Sequence, residues 1–164
     1  MQGVGRIHMY YGDGKGKTTS AIGQGILAAS EGKSVIIIQF LKSKNQDEIS
    51  FIRRLEPEIR LFRFEKSDAC FADLTQEQQA EESMNLKNGM NYARKVLTTG
   101  DCDVLILDEV LGLLENEIIS VDDLRQLKAL ADDNDTELIY TGIHASGELI
   151  DLSDEVYCIE PVKG

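Results

Sequence analysis

Apolar residues along the chain fall into two kinds of run. Ile7 to Tyr11, Ser34 to Phe40, Val104 to Leu107 and Thr136 to Thr141 are short blocks rich in β-branched and aromatic residues. Such blocks read as strands, and those with little alternation suit a parallel sheet covered on both faces. Between them, apolar residues recur every three or four positions: Leu86, Met90, Ala93, Val96 and Leu97, then Leu124, Leu127, Leu130 and Ala131. That spacing predicts helices with one buried face. Stop and start signals mark the limits. Thr75-Gln76-Glu77-Gln78 fits a capping box and opens a helix to about Leu97, while Ser120-Val121-Asp122-Asp123 caps the next. Glu31-Gly32-Lys33 ends the first helix, glycine being the favoured left-handed cap. Asp47 to Leu55 reads as a short helix closed off by Pro57, and Ile59 to Phe64 alternates like a half-exposed edge strand. Glu65 to Leu74 is a polar loop in which Cys70 and Phe71 serve as either a core plug or a lid over a ligand. Ser146 to Leu152 gives a short helix and Glu155 to Ile159 a last strand. This alternation predicts an α/β fold of three layers, a mostly parallel sheet of five or six strands with helices on both faces, within one domain over 1–164.

The first strand runs straight into Gly12-Asp13-Gly14-Lys15-Gly16-Lys17-Thr18-Thr19, and a helix follows from Ala21. Strand, glycine loop and helix are the setting of a P-loop, in which backbone N–H groups and the helix N-terminus cradle phosphate oxygens. Lys17 is then placed to reach a phosphate and the Thr18 hydroxyl to meet Mg²⁺. The common pattern G-x-x-x-x-G-K-[ST] puts a glycine where this chain has Tyr11, so the loop is one residue short. The second element is Val104-Leu105-Ile106-Leu107-Asp108-Glu109, a buried strand ending in two acids that can hold Mg²⁺ directly or through water. Lys42 and Lys44 follow the second strand, on the edge where parallel sheets bind ligands, with Lys44 read first as a solvated loop lysine.

Composition narrows the function classes. A net charge of −12 at pH 7 argues against a nucleic-acid or anionic-membrane surface, which wants a basic face. Cys70, Cys102 and Cys158 are scattered and odd in number, so neither a zinc site nor a disulfide framework is expected; free buried thiols are. With His8 and His144 the only histidines, a histidine-rich metal site is not expected either. No apolar run approaches ~20 residues and no signal-like segment opens the chain, which predicts a cytoplasmic protein.

Taken together, the shortened loop, Gln39-Phe40-Leu41-Lys42, Leu107-Asp108-Glu109, Thr141-Gly142, Glu148 to Asp154 and Glu160-Pro161-Val162-Lys163 resemble the P-loop-type ATP:corrinoid adenosyltransferases. The resemblance spans most of the chain. It implies a P-loop NTPase-like fold, a homodimer, and transfer of the 5′-deoxyadenosyl group of ATP to the Co(I) of a corrinoid with release of triphosphate, in cobalamin biosynthesis or salvage. A reductase would supply the electron. It further implies that Gly12, Asp13, Gly14, Lys15, Gly16, Lys17, Thr18 and Thr19 bind the nucleotide. Lys17 and Glu109 would stabilise the leaving triphosphate, Mg²⁺ would sit on Thr18 and Glu109, and Asp108 would stand in its outer shell. Phe71 would lie near the corrin.

The chain also departs from that family's pattern. Ile143 follows Thr141-Gly142 where the family has arginine, unless His144 replaces it. Leu111 stands where a polar residue is usual, no tryptophan precedes the long helix, and relatives continue past Pro-Val-Lys. Two other readings therefore stand beside transfer: an ATP-binding regulatory or partner protein without catalysis, and a P-loop ATPase or kinase.

Overall fold

The computed structural model describes residues 6–41, 51–67 and 69–164. Among the described residues six strands build one sheet: β1 (Ile7–Tyr11), β2 (Val35–Gln39), β3 (Ile59–Arg63), β4 (Val104–Asp108), β5 (Glu137–Gly142) and β6 (Glu155–Cys158). Their order is β3-β2-β4-β5-β1-β6 and every pairing is parallel. The helices are α1 (Lys17–Ser30), α2 (Gln76–Thr99), α3 (Val110–Glu115), α4 (Val121–Asn134) and α5 (Gly147–Leu152). The expected P-loop NTPase-like sandwich is the one observed, with all six strands parallel. Among the described residues no helix is long and apolar enough to cross a membrane.

The period-two geometry of a strand divides the core into two layers. Ile36, Ile38, Leu105, Leu107, Leu138 and Tyr140 face the layer of α2, α3 and α4. Val35, Ile37, Val104, Ile106 and Ile139 face the other layer, with Ala21 of α1 and Ile52. All five residues of β2 and of β4 are buried, which is why neither sequence alternates. Ile59 and Leu61 are buried while Arg60 and Phe62 are only partly so, and β3 lies at the sheet edge as its alternation predicts.

Local signals set most boundaries. The expected capping box forms between Thr75 and Gln78, and the Ser120 cap proves to be a second one, with Asp123. Gly32 takes φ +86° just past α1. Three details differ from expectation. Within the predicted helix over 47–55, Phe51–Leu55 is a 3-10 turn; residues 47–50, like Lys42 and Lys44, lie outside the described residues. The chain turns into α3 directly after Glu109, a helix the pattern did not announce because six residues are too few to display a period. Of the three cysteines only Cys102 is buried; Cys70 and Cys158 are exposed, since one lies in the loop before α2 and the other on the edge strand β6.

The loop after β3 is tied down by a buried carboxylate. Glu82, 5% exposed on α2, accepts from the backbone N–H groups of Lys66 and Ser67 at 3.2 Å and from Asn85 Nδ2 at 3.0 Å. Phe71 packs against the core, which favours the plug over the lid, and its carbonyl accepts from Gln79 Nε2 at 3.0 Å. Glu82→Ala removes the acceptor for two amides at once, so a loss of roughly 1–3 kcal/mol is expected in urea unfolding. The Lys66 and Ser67 amides should exchange with solvent faster in the same variant. Unchanged stability and unchanged exchange would show that the carboxylate does not hold this loop.

Candidate functional site

In a parallel sheet every strand delivers its C-terminal end to the same edge. Register aligns four of those ends here: Tyr11 opposite Gly142, Leu107 opposite Tyr140, and Gln39 opposite Asp108. The glycine loop, the acidic pair and the residues after β2 and β5 therefore converge on one rim.

The loop is held from below by backbone bonds. Gly12 N donates to Ile143 O at 3.0 Å and Gly14 N to Ile159 O at 2.8 Å, while Ile159 N donates to Tyr11 O at 2.7 Å. The glycines serve two purposes. A Cβ at Gly12 would stand 2.2 Å from Ile159 O, so packing against the end of β6 excludes any side chain there. Gly16 has open space around it but takes φ +110°, a backbone that L side chains rarely adopt. The amides of Gly12 and Gly14 are thus engaged within the protein, which narrows the set of loop N–H groups able to meet an anion.

The start of α1, like that of the short α3, has no side-chain cap. Thr75, Ser120 and Ser146 each cap their own helix with a side-chain oxygen, but Gly16 offers none, and the first turn of α1 has no acidic residue. Unsatisfied N–H groups and the positive end of the helix dipole make this end receptive to an anion. Lys17 Nζ lies across the loop, donating to Gly14 O at 2.7 Å. Asp13, Lys15 and Thr19 are exposed around it.

Asp108 sits at the centre, 1% exposed. Its Oδ1 accepts from Thr18 Oγ1 and from Thr141 Oγ1, both at 2.7 Å, and its Oδ2 accepts from Gln39 Nε2 at 3.1 Å. With its proton committed to Asp108, the Thr18 hydroxyl has lone pairs to offer a cation. Glu109 follows in left-handed backbone, φ +61°, and its N–H donates to Thr141 Oγ1 at 2.8 Å. Burial pushes the Glu109 carboxyl up to about 7, with Asp108 adding repulsion, Lys17 pulling the other way and Glu115 adding the least. Among the described residues, no group of three or more His, Cys, Asp or Glu gathers to hold a metal. The hard-oxygen set of Thr18 and Glu109 suits Mg²⁺, which binds few protein groups and completes its shell with phosphate and water.

The site residues read from sequence therefore share one rim. Sequence reasoning missed the roles of Gln39 and Thr141, quoted only within longer motifs; a polar residue closing an otherwise apolar strand was the available signal. Ile143 is 43% exposed and His144 is exposed. Leu111 is buried in α3 against Gly142, so a core contact occupies the position where a polar residue was expected. His8 bonds Glu155 at 2.9 Å across β1 and β6, a structural pairing.

With this geometry in view, comparison with known proteins is direct. The profile of the family described as ATP:corrinoid adenosyltransferase BtuR/CobO/CobP matches residues 3–164. The chain is 26% identical over 159 residues to the corrinoid adenosyltransferase of Escherichia coli K12, covering 97% of this chain and 78% of that protein. It is 28% identical over 160 residues to corrinoid adenosyltransferase CobA of Salmonella typhimurium LT2, with the same coverage. It is 30% identical over 166 residues to an uncharacterised protein of Nostoc sp. PCC 7120, covering 93% of this chain and 43% of that one. The chain belongs to the ATP:corrinoid adenosyltransferase family.

The state of Glu109 has a consequence for stability. Its carboxyl titrates near 7 when folded against about 4.5 otherwise, so ionisation costs stability as pH rises through that interval. Glu109→Gln removes the cost. In nucleotide-free, metal-free protein the variant should gain roughly 1–3 kcal/mol over wild type at pH 8, and less at pH 5.5. Urea unfolding at the two pH values checks it; an advantage that fails to grow with pH contradicts the burial argument.

Proposed function

We propose that this member of the family transfers the 5′-deoxyadenosyl group of ATP to the Co(I) of a corrinoid and releases triphosphate, through one nucleotide-binding domain over 1–164. The observation that carries the reading is the rim itself: an uncapped helix start, Lys17 and the Thr18–Asp108–Glu109 cluster stand together where a polyphosphate would need them. In this reaction the cobalt lone pair attacks C5′, the C5′–O bond breaks, and its electrons leave with triphosphate. No proton moves at the reacting carbon, so no general base is required of the protein. Its tasks are to position C5′ and to stabilise charge on the leaving group.

Lys15 and Lys17 would face the phosphates, together with the amides of the loop and first turn that Ile143 and Ile159 do not already occupy. Thr18 and Glu109 would hold Mg²⁺, and Asp108, whose oxygens already serve three protein donors, would stay in the outer shell. When bound, the ion neutralises polyphosphate charge. Lys17 donates to the Gly14 carbonyl, and a phosphate oxygen would compete for the same ammonium group. The need for Co(I) calls for a reductase, and the homodimer implied by the resemblance belongs to the same reading. A second reading, ATP binding without transfer, draws on exposed Ile143 at the position of the family's arginine.

Incubation with ATP, Mg²⁺ and a chemically reduced corrinoid separates the readings. Transfer predicts an adenosylated corrinoid, seen in the absorption spectrum. ATP binding without that product would sink transfer and favour the second reading, and steady orthophosphate release without corrinoid would point to an ATPase. Lys17→Ala should weaken ATP binding at least tenfold, a loss on the scale of one strong charge-assisted contact. Wild-type affinity in that variant would show that the loop is not the phosphate site.

A further inference from the structure

Thr141 and Gly142, the last two residues of β5, each make a close contact at the rim. The Thr141 hydroxyl is wholly enclosed at 0% exposure. It donates to Asp108 Oδ1 at 2.7 Å and accepts from Glu109 N at 2.8 Å, so one oxygen fixes both acidic residues. Gly142 lies against α3, where an added Cβ would stand 2.2 Å from Leu111 Cβ and 2.8 Å from Leu111 Cγ. Both contacts act on the same turn. The chain leaves β4, reverses at Glu109 with φ +61° and enters α3. Left-handed backbone is unfavourable for a residue with a side chain, and such a turn persists only when its surroundings enforce it.

We propose that Thr141 and Gly142 are positioning residues for the cation site: the hydroxyl anchors Glu109 N–H while the bare glycine admits Leu111, and together they hold the Glu109 carboxylate beside Thr18. The proposal rests on the reading of Thr18 and Glu109 as the residues that meet Mg²⁺. Neither Thr141 nor Gly142 touches the ion in this arrangement. Thr141 acts through Asp108 and through the Glu109 backbone, and Gly142 acts through the seating of α3. Outer-shell partners of this kind commonly change metal affinity 10- to 100-fold when removed.

The test is binding of a fluorescent ATP analogue to the full chain over a series of Mg²⁺ concentrations, with thermal unfolding in parallel. Thr141→Val keeps the shape and deletes the hydroxyl; it should raise the half-saturating Mg²⁺ concentration about tenfold. Thr141→Ser restores the hydroxyl and should stay within about twofold of wild type. Gly142→Ala keeps the hydroxyl but displaces Leu111, and should also raise the Mg²⁺ requirement. If Thr141→Val does not fold, Thr141→Ala, with no extra bulk, takes its place in the titration. Variants that melt earlier yet keep the wild-type Mg²⁺ dependence would show a purely structural role and overturn the inference. Wild-type binding that ignores Mg²⁺ would instead overturn the underlying cation-site reading, a result visible before any variant is made.

Discussion

The buried carboxylate of Asp108 is the constraint on which the rim depends. An ionised group at 1% exposure costs several kcal/mol unless its oxygens are met by donors. Three donors meet them, from three elements: Thr18 at the start of α1, Gln39 at the end of β2 and Thr141 near the end of β5. These elements can reach one side chain only if β2, β4 and β5 end level and α1 begins beside them. The strand order, the parallel register and the short glycine loop all satisfy that condition. Displacing one donor would leave a buried charge short of a partner, so the network resists distortion as a unit.

That rigidity supports a less comfortable neighbour. Glu109 combines left-handed backbone with a carboxyl that burial has pushed up to about 7. Both features oppose folding, and both are tolerated because Asp108, Thr141 and the α3–Gly142 contact fix the turn. A cation and a polyphosphate would relieve the electrostatic part by supplying positive charge to Glu109 and negative charge to Lys17. Strain concentrated at a ligand-facing position, and supported by a relaxed scaffold, is the pattern expected of a functional site.

The fold was legible because its signals are local and repeated. β2 and β4 are uninterrupted apolar blocks, α2 and α4 carry capping boxes, and Gly32 closes the turn after α1. The glycine loop was legible for the same reason, being contiguous in sequence. What escaped is three-dimensional. Nothing in a linear pattern shows that Thr141 lies across from Asp108, or that Gly142 must lack a side chain because Leu111 occupies the space. The loop glycines were read as freeing N–H groups for phosphate, yet Gly12 and Gly14 spend theirs on Ile143 and Ile159. Exposure of Cys158 was equally hidden, since the four residues of β6 are too few to show a pattern that marks an edge.

The chain belongs to the ATP:corrinoid adenosyltransferase family, and its rim gathers the groups that a polyphosphate would need. The central claim is that Asp108 acts as a saturated hub, orienting Thr18 and supporting Glu109 without itself binding the ion. A crystal structure with Mg²⁺ and a non-reactive ATP analogue tests it most directly. The expected result is Mg²⁺ held by Thr18 and Glu109, with the Asp108 bonds to Gln39 and Thr141 intact. An Asp108 oxygen bound directly to Mg²⁺, with Thr18 turned away and Thr141 released, would contradict it.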